Sequence, residues 1–363
     1  MPKMMPGHER TPLTIGAFIR DRAARFGDDE FIVTPDSRVT YREVEERSRQ
    51  LAKRLTTAGV GKGSHVGILF GNGPDWVIAW LACGRIGALA VTLNTYYKPP
   101  ELRRAVRHAD VQVLLMAPRL LHHDFQERLE DAFPNLHRHR PFQPLYLRDA
   151  PALRSVWVTG DDLRPWATPC DSARTAIDDD FLSDLEADVA PSDPFTVIYT
   201  SGSTAEPKGV IHAHAGVIRH SSRVRDRCDL PLLHGDKSYS PMPFFWVGGM
   251  VIVLMNAMHG GATVGCLPSF EPRVVLDFME QERVTAFLGW PHSSNALLRD
   301  PSFAASDLSA LRTPIGSPVR GHATLGMTET LGPHTSCCAP RLQCGRSSTS
   351  SRSGATCLSN TPK

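Results

Sequence analysis

Blocks of hydrophobic and polar residues alternate along residues 11–190 and predict helices and strands in turn. The segments with apolar residues at helical spacing are 14–26, 39–60, 73–87 and 99–110, and the short apolar runs between them are 65–70, 88–94 and 111–116. Pro74 near the start of one helix and Gly87 at its end are typical helix boundaries. This β-α-β order predicts an α/β fold with mostly parallel sheets and helices on their faces.

A second block of the same kind follows an acidic, proline-bearing connection at residues 176–194. It begins with a β-branched and aromatic strand at 195–200 and continues to a helix and a strand over 272–291. We therefore predict a first α/β subdomain over residues 12–190 and a second over residues 191–335.

The residues after this block, 336–363, have a different composition. They contain seven serines, four basic residues and no acidic residue, and they show neither helical nor strand periodicity. Such a segment buries too little apolar surface to fold alone, so we predict a disordered tail. We also interpret this tail as translated out of frame, because it matches nothing expected after the preceding motifs.

The overall composition narrows the class of protein. The chain is 41% hydrophobic and 21% charged, as is usual for a globular protein, and its net charge of +2 predicts no nucleic-acid partner. The longest apolar run, residues 249–258, is about half the length of a membrane span. No apolar leader is visible at the N-terminus. These observations predict a cytoplasmic protein with no integral membrane segment.

Cysteines and histidines offer no recognisable metal site. Four cysteines are scattered through apolar or mixed surroundings and are predicted to be buried free thiols: Cys83, Cys170, Cys228 and Cys266. The other four, in the last part of the chain, lack the spacing of zinc ligands. A sequence cluster of four histidines fits no ligand pattern and is predicted to lie on a solvated helix and loop: His122, His123, His137 and His139.

The stretch YTSGSTAEPKGV, residues 199–210, carries the chemistry. It follows a predicted strand directly, and its small residues allow main-chain N–H groups to approach an anion. The hydroxyl groups of four of its residues and one lysine suit a polyphosphate: Thr200, Ser201, Ser203, Thr204 and Lys208, with Gly202 at the turn. The spacing of a Walker phosphate loop is absent, so the composition alone leaves an ordinary turn as the alternative.

The ordered string TSGSTAEPKG resembles the phosphate-loop motif of the adenylate-forming superfamily, which includes acyl-CoA synthetases, luciferases and peptide-synthetase adenylation domains. Ala205 stands where that superfamily usually has glycine. The segment PMPFFWVGGM, residues 241–250, resembles the aromatic segment that follows the loop. LGMTET, residues 325–330, resembles the motif Y-G-x-T-E with Leu325 in place of tyrosine. The resemblance covers about residues 12–335 and implies the large N-terminal domain of the adenylate-forming fold.

The resemblance also implies roles for individual residues. The loop residues Thr200, Ser201, Gly202, Ser203 and Thr204, with Lys208, are implied to hold the β- and γ-phosphates of ATP. Thr328 is implied near the α-phosphate, with Gly326 and Met327 in the same motif, and Glu329 as the Mg²⁺ ligand. A turn of small residues beside adenine is implied at Gly316, Ser317 and Pro318. Trp246 is implied to be the gate aromatic, and Gly248 and Gly249 to leave room for the acyl group.

The implied reaction is carboxylate activation. The acid attacks the α-phosphorus of ATP, Mg²⁺-pyrophosphate leaves, and the acyl group passes from the adenylate to the thiol of CoA. The gate segment PFFWVGG contains no acidic residue that could pair with a substrate ammonium group, so an amino-acid adenylation domain is disfavoured. The segment most resembles fatty acid–CoA ligases, which favours a fatty acid or an aryl acid.

Several further motifs of the superfamily are not found in this sequence. They are the ribose-binding aspartate of a Y-x-T-G-D motif, a hinge arginine and the catalytic lysine of the small C-terminal domain. Only seven residues separate Pro318 from Gly326, where the superfamily has a further helix and strand. We therefore expect a C-terminally truncated domain with impaired turnover. The alternative is an inactive remnant or a module that binds a nucleotide or an acyl group.

Overall fold

A computed structural model describes residues 11–171, 175–200, 208–227, 231–316 and 324–336. Nearly all of the predicted tail and the residue Cys228 lie outside these ranges. The helices are α1 Ile15–Phe26, α2 Tyr41–Thr57, α3 Pro74–Arg85, α4 Pro99–His108, α5 Phe125–Ala132, α6 Asp179–Ala187, α7 His214–Arg227, α8 Asn256–Gly260, α9 Pro272–Gln281 and α10 Pro291–Arg299. A π-helix, Gly248–Met255, runs directly into α8, and short 3-10 turns occur at Leu136–Arg138, Phe303–Ala305 and Thr328–Thr330.

Local sequence explains where several helices begin. Thr40 and Glu43 form a capping box at the start of α2: the Glu43 main-chain N–H donates to the Thr40 hydroxyl, and Glu43 accepts from the Thr40 N–H. Proline occupies the first turn of α3, α4, α9 and α10, where its missing N–H costs no hydrogen bond. The predicted helices of the first block are therefore confirmed within a few residues at each end.

The strands form two large sheets and two small hairpins. The strands are β1 Glu30–Val33, β2 Arg38–Thr40, β3 His65–Leu69, β4 Leu89–Thr92, β5 Val113–Met116, β6 Arg119–Leu120, β7 His123–Asp124, β8 Ser155–Val158, β9 Thr168–Pro169, β10 Pro194–Tyr199, β11 Gly209–Ala213, β12 Lys237–Tyr239, β13 Thr263–Gly265, β14 Ala286–Phe287, β15 Thr324–Met327 and β16 Gly332–Ser336. The seven-stranded sheet has the order β11-β10-β4-β3-β5-β8-β9, and the five-stranded sheet β14-β12-β13-β1-β2. Within these two sheets the antiparallel pairs are β10–β11 and β1–β2, so the prediction of mostly parallel sheets is confirmed.

Each large sheet takes strands from both sides of residue 190. The strands β10 and β11 extend the sheet that β3, β4 and β5 begin, and β1 lies beside β13 with Ile32 opposite Val264. Neither sheet is therefore confined to one side of the acidic connection at residues 176–194. Parallel strands are joined by long crossover connections, so neighbours in a sheet can be far apart in sequence. The proposed subdomains 12–190 and 191–335 remain a prediction about how the chain is organised.

The helix α3 lies at the centre of the largest hydrophobic cluster. Every residue from Trp76 to Arg85 is buried, as its nearly uninterrupted apolar sequence requires. The Trp80 ring packs 4.6 Å from the ring of Phe195, and its indole N–H lies 3.4 Å from the Thr196 hydroxyl. The same cluster includes Ile32 from the other sheet, so α3 helps to join the two sheets.

Three further predictions are tested by the described residues. Cys83, Cys170 and Cys266 are buried free thiols, as predicted. No group of three or more possible metal-ligating side chains exists within the described ranges, which include all four clustered histidines. The apolar run 249–258 forms the π-helix and the start of α8, and none of the helices described here has the length and apolarity that a bilayer crossing demands.

Candidate functional site

The predicted phosphate loop is the connection of the β10–β11 hairpin. Tyr199 and Gly209 form the last pair of the antiparallel ladder, and the Thr200 N–H donates to the Lys208 carbonyl at 2.9 Å. The loop therefore starts and ends at one point, at the carboxyl end of a strand of a mostly parallel sheet, where such sheets commonly bind ligands. Lys208 is exposed at this point. The loop residues Ser201, Gly202, Ser203 and Thr204 lie outside the described residues.

A cleft of about 310 Å³ opens beside this stem and brings Thr200 together with Trp246. Its other lining residues are Thr92, Asn94, Tyr96, Tyr97, Glu101, Tyr199 and Phe245. Several of them directly follow β4, which is the neighbour of β10 in the sheet. The sequence analysis did not identify these residues, although Asn94 to Tyr97 follow a buried strand in the way that site residues of parallel sheets often do.

Two polar side chains hold the aromatic segment 242–246 against the seven-stranded sheet. The Thr92 hydroxyl lies 2.9 Å from the Val197 carbonyl and 3.2 Å from the Phe245 carbonyl. Asn72 donates to the Met242 carbonyl at 2.9 Å and accepts from the Phe244 N–H at 2.8 Å. These bonds satisfy main-chain groups that leave regular secondary structure, and they fix the cleft wall that carries Trp246.

The two glycines after Trp246 differ in their surroundings. A side-chain carbon on Gly249 would lie 2.2 Å from the carbonyl oxygen of Pro243, so glycine is required there by close main-chain packing. A carbon on Gly248 would lie 2.9 Å from the Met242 sulfur and 3.7 Å from Trp290. The expectation that both glycines leave room for an acyl group remains a prediction.

The second predicted motif lies near His212 of β11, the strand that leaves the predicted phosphate loop. Thr328 and Glu329 form a tight turn between β15 and β16. Burial lowers the pKa of His212 on β11, while the nearby main chain of Thr328 and the charge of Glu329 oppose this change. The residue after the turn, Gly332, packs toward Val247 with 3.0 Å between its would-be Cβ and a methyl carbon. The turn at Thr328 and Glu329 therefore lies near the strand β11 that leaves the loop, and Gly332 lies against the segment that carries Trp246.

The remaining predicted site residues that the structure describes are not among the residues that line the cleft. Gly326 lies in β15, and Met327 is 47% exposed with its N–H 3.2 Å from the Thr330 hydroxyl. Gly316 has a φ of +77°, a backbone conformation that favours glycine, and packs against Leu298 of α10. It is not among the residues that line the cleft, and its neighbours Ser317 and Pro318 lie outside the described residues.

The cleft is polar without being strongly charged. Burial raises the pKa of Tyr199 to about 12 and that of Tyr97 to about 12, so both phenols are neutral near pH 7. The Tyr199 hydroxyl lies 3.0 Å from Nδ1 of His108, the last residue of α4. The Glu101 carboxylate accepts from the Lys98 N–H at 2.8 Å. Phenol and threonine hydroxyls of this kind can hydrogen-bond a ligand without requiring it to carry charge.

The chemistry of the exposed residues fits a nucleotide with its metal ion. Glu329 is exposed and offers the hard oxygen ligand that Mg²⁺ prefers, and Mg²⁺ in phosphate sites commonly takes few protein ligands and several from phosphate and water. Lys208 supplies a cation at the loop stem. The donor set therefore suits ATP, although a complete protein cage for a metal is not found among the described residues.

Acidic pH is expected to destabilise the fold through His214, which links the start of α7 to the start of α1. His214 begins α7, is fully buried, and accepts a hydrogen bond from the Ile15 N–H at 3.2 Å. Burial lowers its pKa from 6.5 to about 4, opposed by Asp193 and assisted by Lys62. Between these values the unfolded chain binds the proton and the folded chain does not. The free energy of unfolding should therefore fall as pH decreases below about 6.5, by about 2 kcal/mol at pH 5.

Urea titrations across this pH range measure the effect. His214→Gln keeps an acceptor without a titrating ring and should reduce the loss of stability at pH 5 by about 2 kcal/mol, leaving the share of other histidines whose pKa is lowered by burial, such as His259, whereas His122→Gln at an exposed histidine should leave the pH dependence unchanged. An unchanged slope in His214→Gln would contradict the assignment.

Comparisons with known proteins identify related chains. The chain is 32% identical to YngI of Bacillus subtilis (strain 168) over 330 residues, which cover 88% of this chain and 59% of that protein. It is 29% identical to the acyl-CoA ligase sidI of Aspergillus fumigatus over 85% of this chain and 52% of that protein. It is 30% identical to a feruloyl-CoA synthase of Amycolatopsis sp over 77% of this chain and 50% of that protein. The chain thus spans between half and three fifths of the length of these relatives.

The fold also matches solved structures of CoA ligases. The structure of the anthranilate CoA ligase AuaEII in complex with anthranoyl-AMP matches with a TM-score of 0.68 at 23% identity, over 83% of this chain and 54% of that chain. The fold is therefore that of the N-terminal domain of adenylate-forming enzymes. The profile of the family described as AMP-binding enzyme matches residues 19–356, and this chain belongs to that family.

Proposed function

We propose that this protein activates a carboxylic acid with ATP to an acyl-adenylate and then transfers the acyl group to CoA. The observation that carries the proposal is that the closed loop stem at Thr200 and Lys208 begins β11, and that the turn at Thr328 and Glu329 lies near His212 of the same strand. The cleft beside this point offers a place for the acid. Relatives whose names describe acyl-CoA ligases support the same reaction class.

The residues are proposed to act mainly by positioning and by neutralising charge. The hydroxyls and main-chain N–H groups of residues 200–204 hold the phosphates, and Lys208 offsets negative charge on the departing pyrophosphate. Glu329 would hold Mg²⁺, which would supply positive charge to the phosphate oxygens, and Thr328 would donate near the α-phosphate. Gly316, Ser317 and Pro318 are proposed to lie along adenine. Most of the rate enhancement in such transfers comes from orientation and electrostatics.

The acid is proposed to be a fatty acid that enters past Trp246. The aromatic segment before Gly248 contains no acidic residue to pair with a substrate ammonium group, and the Glu101 carboxylate of the cleft lining already accepts from the Lys98 N–H. An aryl acid is the second candidate, because the side chains of Tyr96, Tyr97, Tyr199, Phe245 and Trp246 surround the cleft with aromatic rings. Similarity to a feruloyl-CoA synthase favours the same candidate.

The protein is proposed to act in the cytoplasm.

Exchange of labelled pyrophosphate into ATP tests the proposal directly, because it reports adenylate formation without CoA. The assay uses acids from acetate to long-chain fatty acids together with hydroxylated benzoates and cinnamates. Lys208→Ala is expected to reduce exchange about 100-fold, as does removal of a group that stabilises transition-state charge. Lys62→Ala, at a half-exposed lysine outside the cleft, is the matched control.

Three outcomes separate the alternatives. Exchange that depends on Lys208 supports the enzyme, and the best acid names its class. A cooperative thermal transition with ATP-dependent stabilisation but no exchange supports the alternative of a nucleotide- or acyl-binding module without turnover. Exchange that Lys208→Ala leaves unchanged contradicts the role given to the loop.

A further inference from the structure

The loop of residues 139–154, here called the basic aromatic loop, is firmly anchored. Its Leu145 N–H donates to the Arg154 carbonyl at 2.7 Å, and Leu147 and Ala150 form an isolated antiparallel bridge. Four of its side chains are buried in the second hydrophobic cluster: Leu145, Leu147, Ala150 and Leu153. Because these side chains and main-chain bonds hold the loop in place, the residues that it exposes have defined positions.

Two aromatic rings of this loop face solvent. Phe142 is 67% exposed and Tyr146 is 75% exposed. They lie four residues apart, so their Cα atoms are within about 14 Å of each other. Phe142 also has a φ of +63°, a left-handed conformation that costs a bulky residue about 1–2 kcal/mol. Neither the strain nor the exposed ring stabilises the isolated chain, which makes this loop a candidate contact surface.

The same loop carries an excess of positive charge. Arg140 and Arg148 are exposed, and among the described side chains neither has a carboxylate within ion-pair distance. The Arg154 guanidinium lies 5.7 Å from the centre of the Tyr146 ring, which adds a cation beside an exposed aromatic ring. The acidic residue of the loop is Asp149. Arg138 directly precedes the loop and is also exposed.

We propose that the basic aromatic loop binds the surface of a membrane that contains anionic lipids. Phe142 and Tyr146 would enter the headgroup region, where amphipathic aromatic rings are favoured, and the arginines would contact lipid phosphates. Insertion of aromatic rings and attraction of arginines to lipid phosphates are each weak alone, and the two together give a useful membrane affinity. The proposal goes beyond the reaction proposed above and does not depend on it. Two exposed aromatic rings beside only a few arginines favour a lipid surface over a nucleic acid, whose binding depends chiefly on phosphate contacts.

Sedimentation with sucrose-loaded vesicles tests this surface on the full chain, without ATP, acid or CoA. Vesicles of phosphatidylcholine mixed with phosphatidylglycerol should retain the protein, and vesicles of phosphatidylcholine alone should not. Arg140→Gln/Arg148→Gln should weaken binding by about fivefold for each arginine removed. Phe142→Ser/Tyr146→Ser should weaken it by about tenfold or more. Thermal melting confirms that both variants remain folded.

Matched substitutions elsewhere on the surface provide the controls. Arg219→Gln/Arg223→Gln removes two exposed arginines of α7, and Leu233→Ser/Val274→Ser removes two exposed apolar side chains. Both double variants should bind vesicles like the original chain. The proposal is overturned if the wild-type chain ignores anionic vesicles, or if the control pairs reduce binding as much as the loop pairs. Binding to heparin offers a further test. If the chain binds heparin as tightly as anionic vesicles, and if Phe142→Ser/Tyr146→Ser leaves the heparin affinity unchanged, the membrane proposal is overturned in favour of a general polyanion surface.

Discussion

Replacing Arg85 by alanine is expected to lower the free energy of unfolding by about 3–5 kcal/mol. Arg85 is 1% exposed, and its guanidinium lies 2.5 Å from Glu186 and 2.8 Å from Glu45. Its Nε also donates to the Ser48 hydroxyl at 3.1 Å. The alanine variant removes the buried partner of the Glu186 carboxylate, whose side chain is 3% exposed, and leaves it paired with the half-exposed Arg20. Removing one partner from a buried ion pair is among the most costly changes in a protein.

Urea unfolding followed by circular dichroism measures this effect. Arg47→Ala is the matched control, because it removes an ion pair with Asp75 in which both side chains are about half exposed, and should cost less than about 1 kcal/mol. Arg85→Met/Glu186→Leu removes both charges together and should recover much of the stability. If Arg85→Ala costs no more than Arg47→Ala, or if the double variant is worse than the single one, the buried charge is not the cause.

Gly249→Ala is expected to lower the free energy of unfolding by more than about 3 kcal/mol. The same substitution is expected to abolish pyrophosphate exchange. The new methyl group would lie 2.2 Å from the Pro243 carbonyl oxygen. That same oxygen accepts from the Trp246 N–H at 3.1 Å, so relief of the overlap must move the turn that presents Trp246 to the cleft. A main-chain atom held by neighbouring hydrogen bonds cannot shift as cheaply as the end of a side chain.

Gly248→Ala is the internal comparison, since its nearest atom is the Met242 sulfur at the flexible end of a side chain. It should cost less than about 1.5 kcal/mol while narrowing access for long or bulky acids. Thermal melting and exchange with acids of different size distinguish the two variants. Equal stability of Gly248→Ala and Gly249→Ala would contradict the distinction between main-chain packing and side-chain contact.

Local sequence predicts most of the individual elements and the position of the loop. The apolar run that becomes α3, the proline at its start, and the strand before TSGST all carry signals within a few residues. The strand β11 and the π-helix were not predicted, because neither has a period that differs from a loop or an ordinary helix. Boundaries also shift, as at α2, which ends at Thr57 rather than near residue 60.

Tertiary relations could not be predicted in the same way. The hydroxyl of Thr92 reaches the carbonyl of Phe245 only because the sheet and the aromatic segment pack together, and nothing near either residue encodes this contact. The same holds for the aromatic lining at Tyr96 and Tyr97. The motifs identify residues that meet a ligand, whereas the residues that hold those motifs in place are set by packing across the whole fold.

The exchange of strands between the two sheets has a consequence for synthesis of the chain on the ribosome. The strand β1 is made early but its partner β13, with Val264 opposite Ile32, is made late. The seven-stranded sheet likewise lacks β10 and β11 until residues beyond 190 have emerged. Such distant pairings are slow to form, and the open edges of β1 and β4 stay accessible in the nascent chain. Chaperones that shield unpaired strands should therefore matter more for this protein's yield than its final stability does.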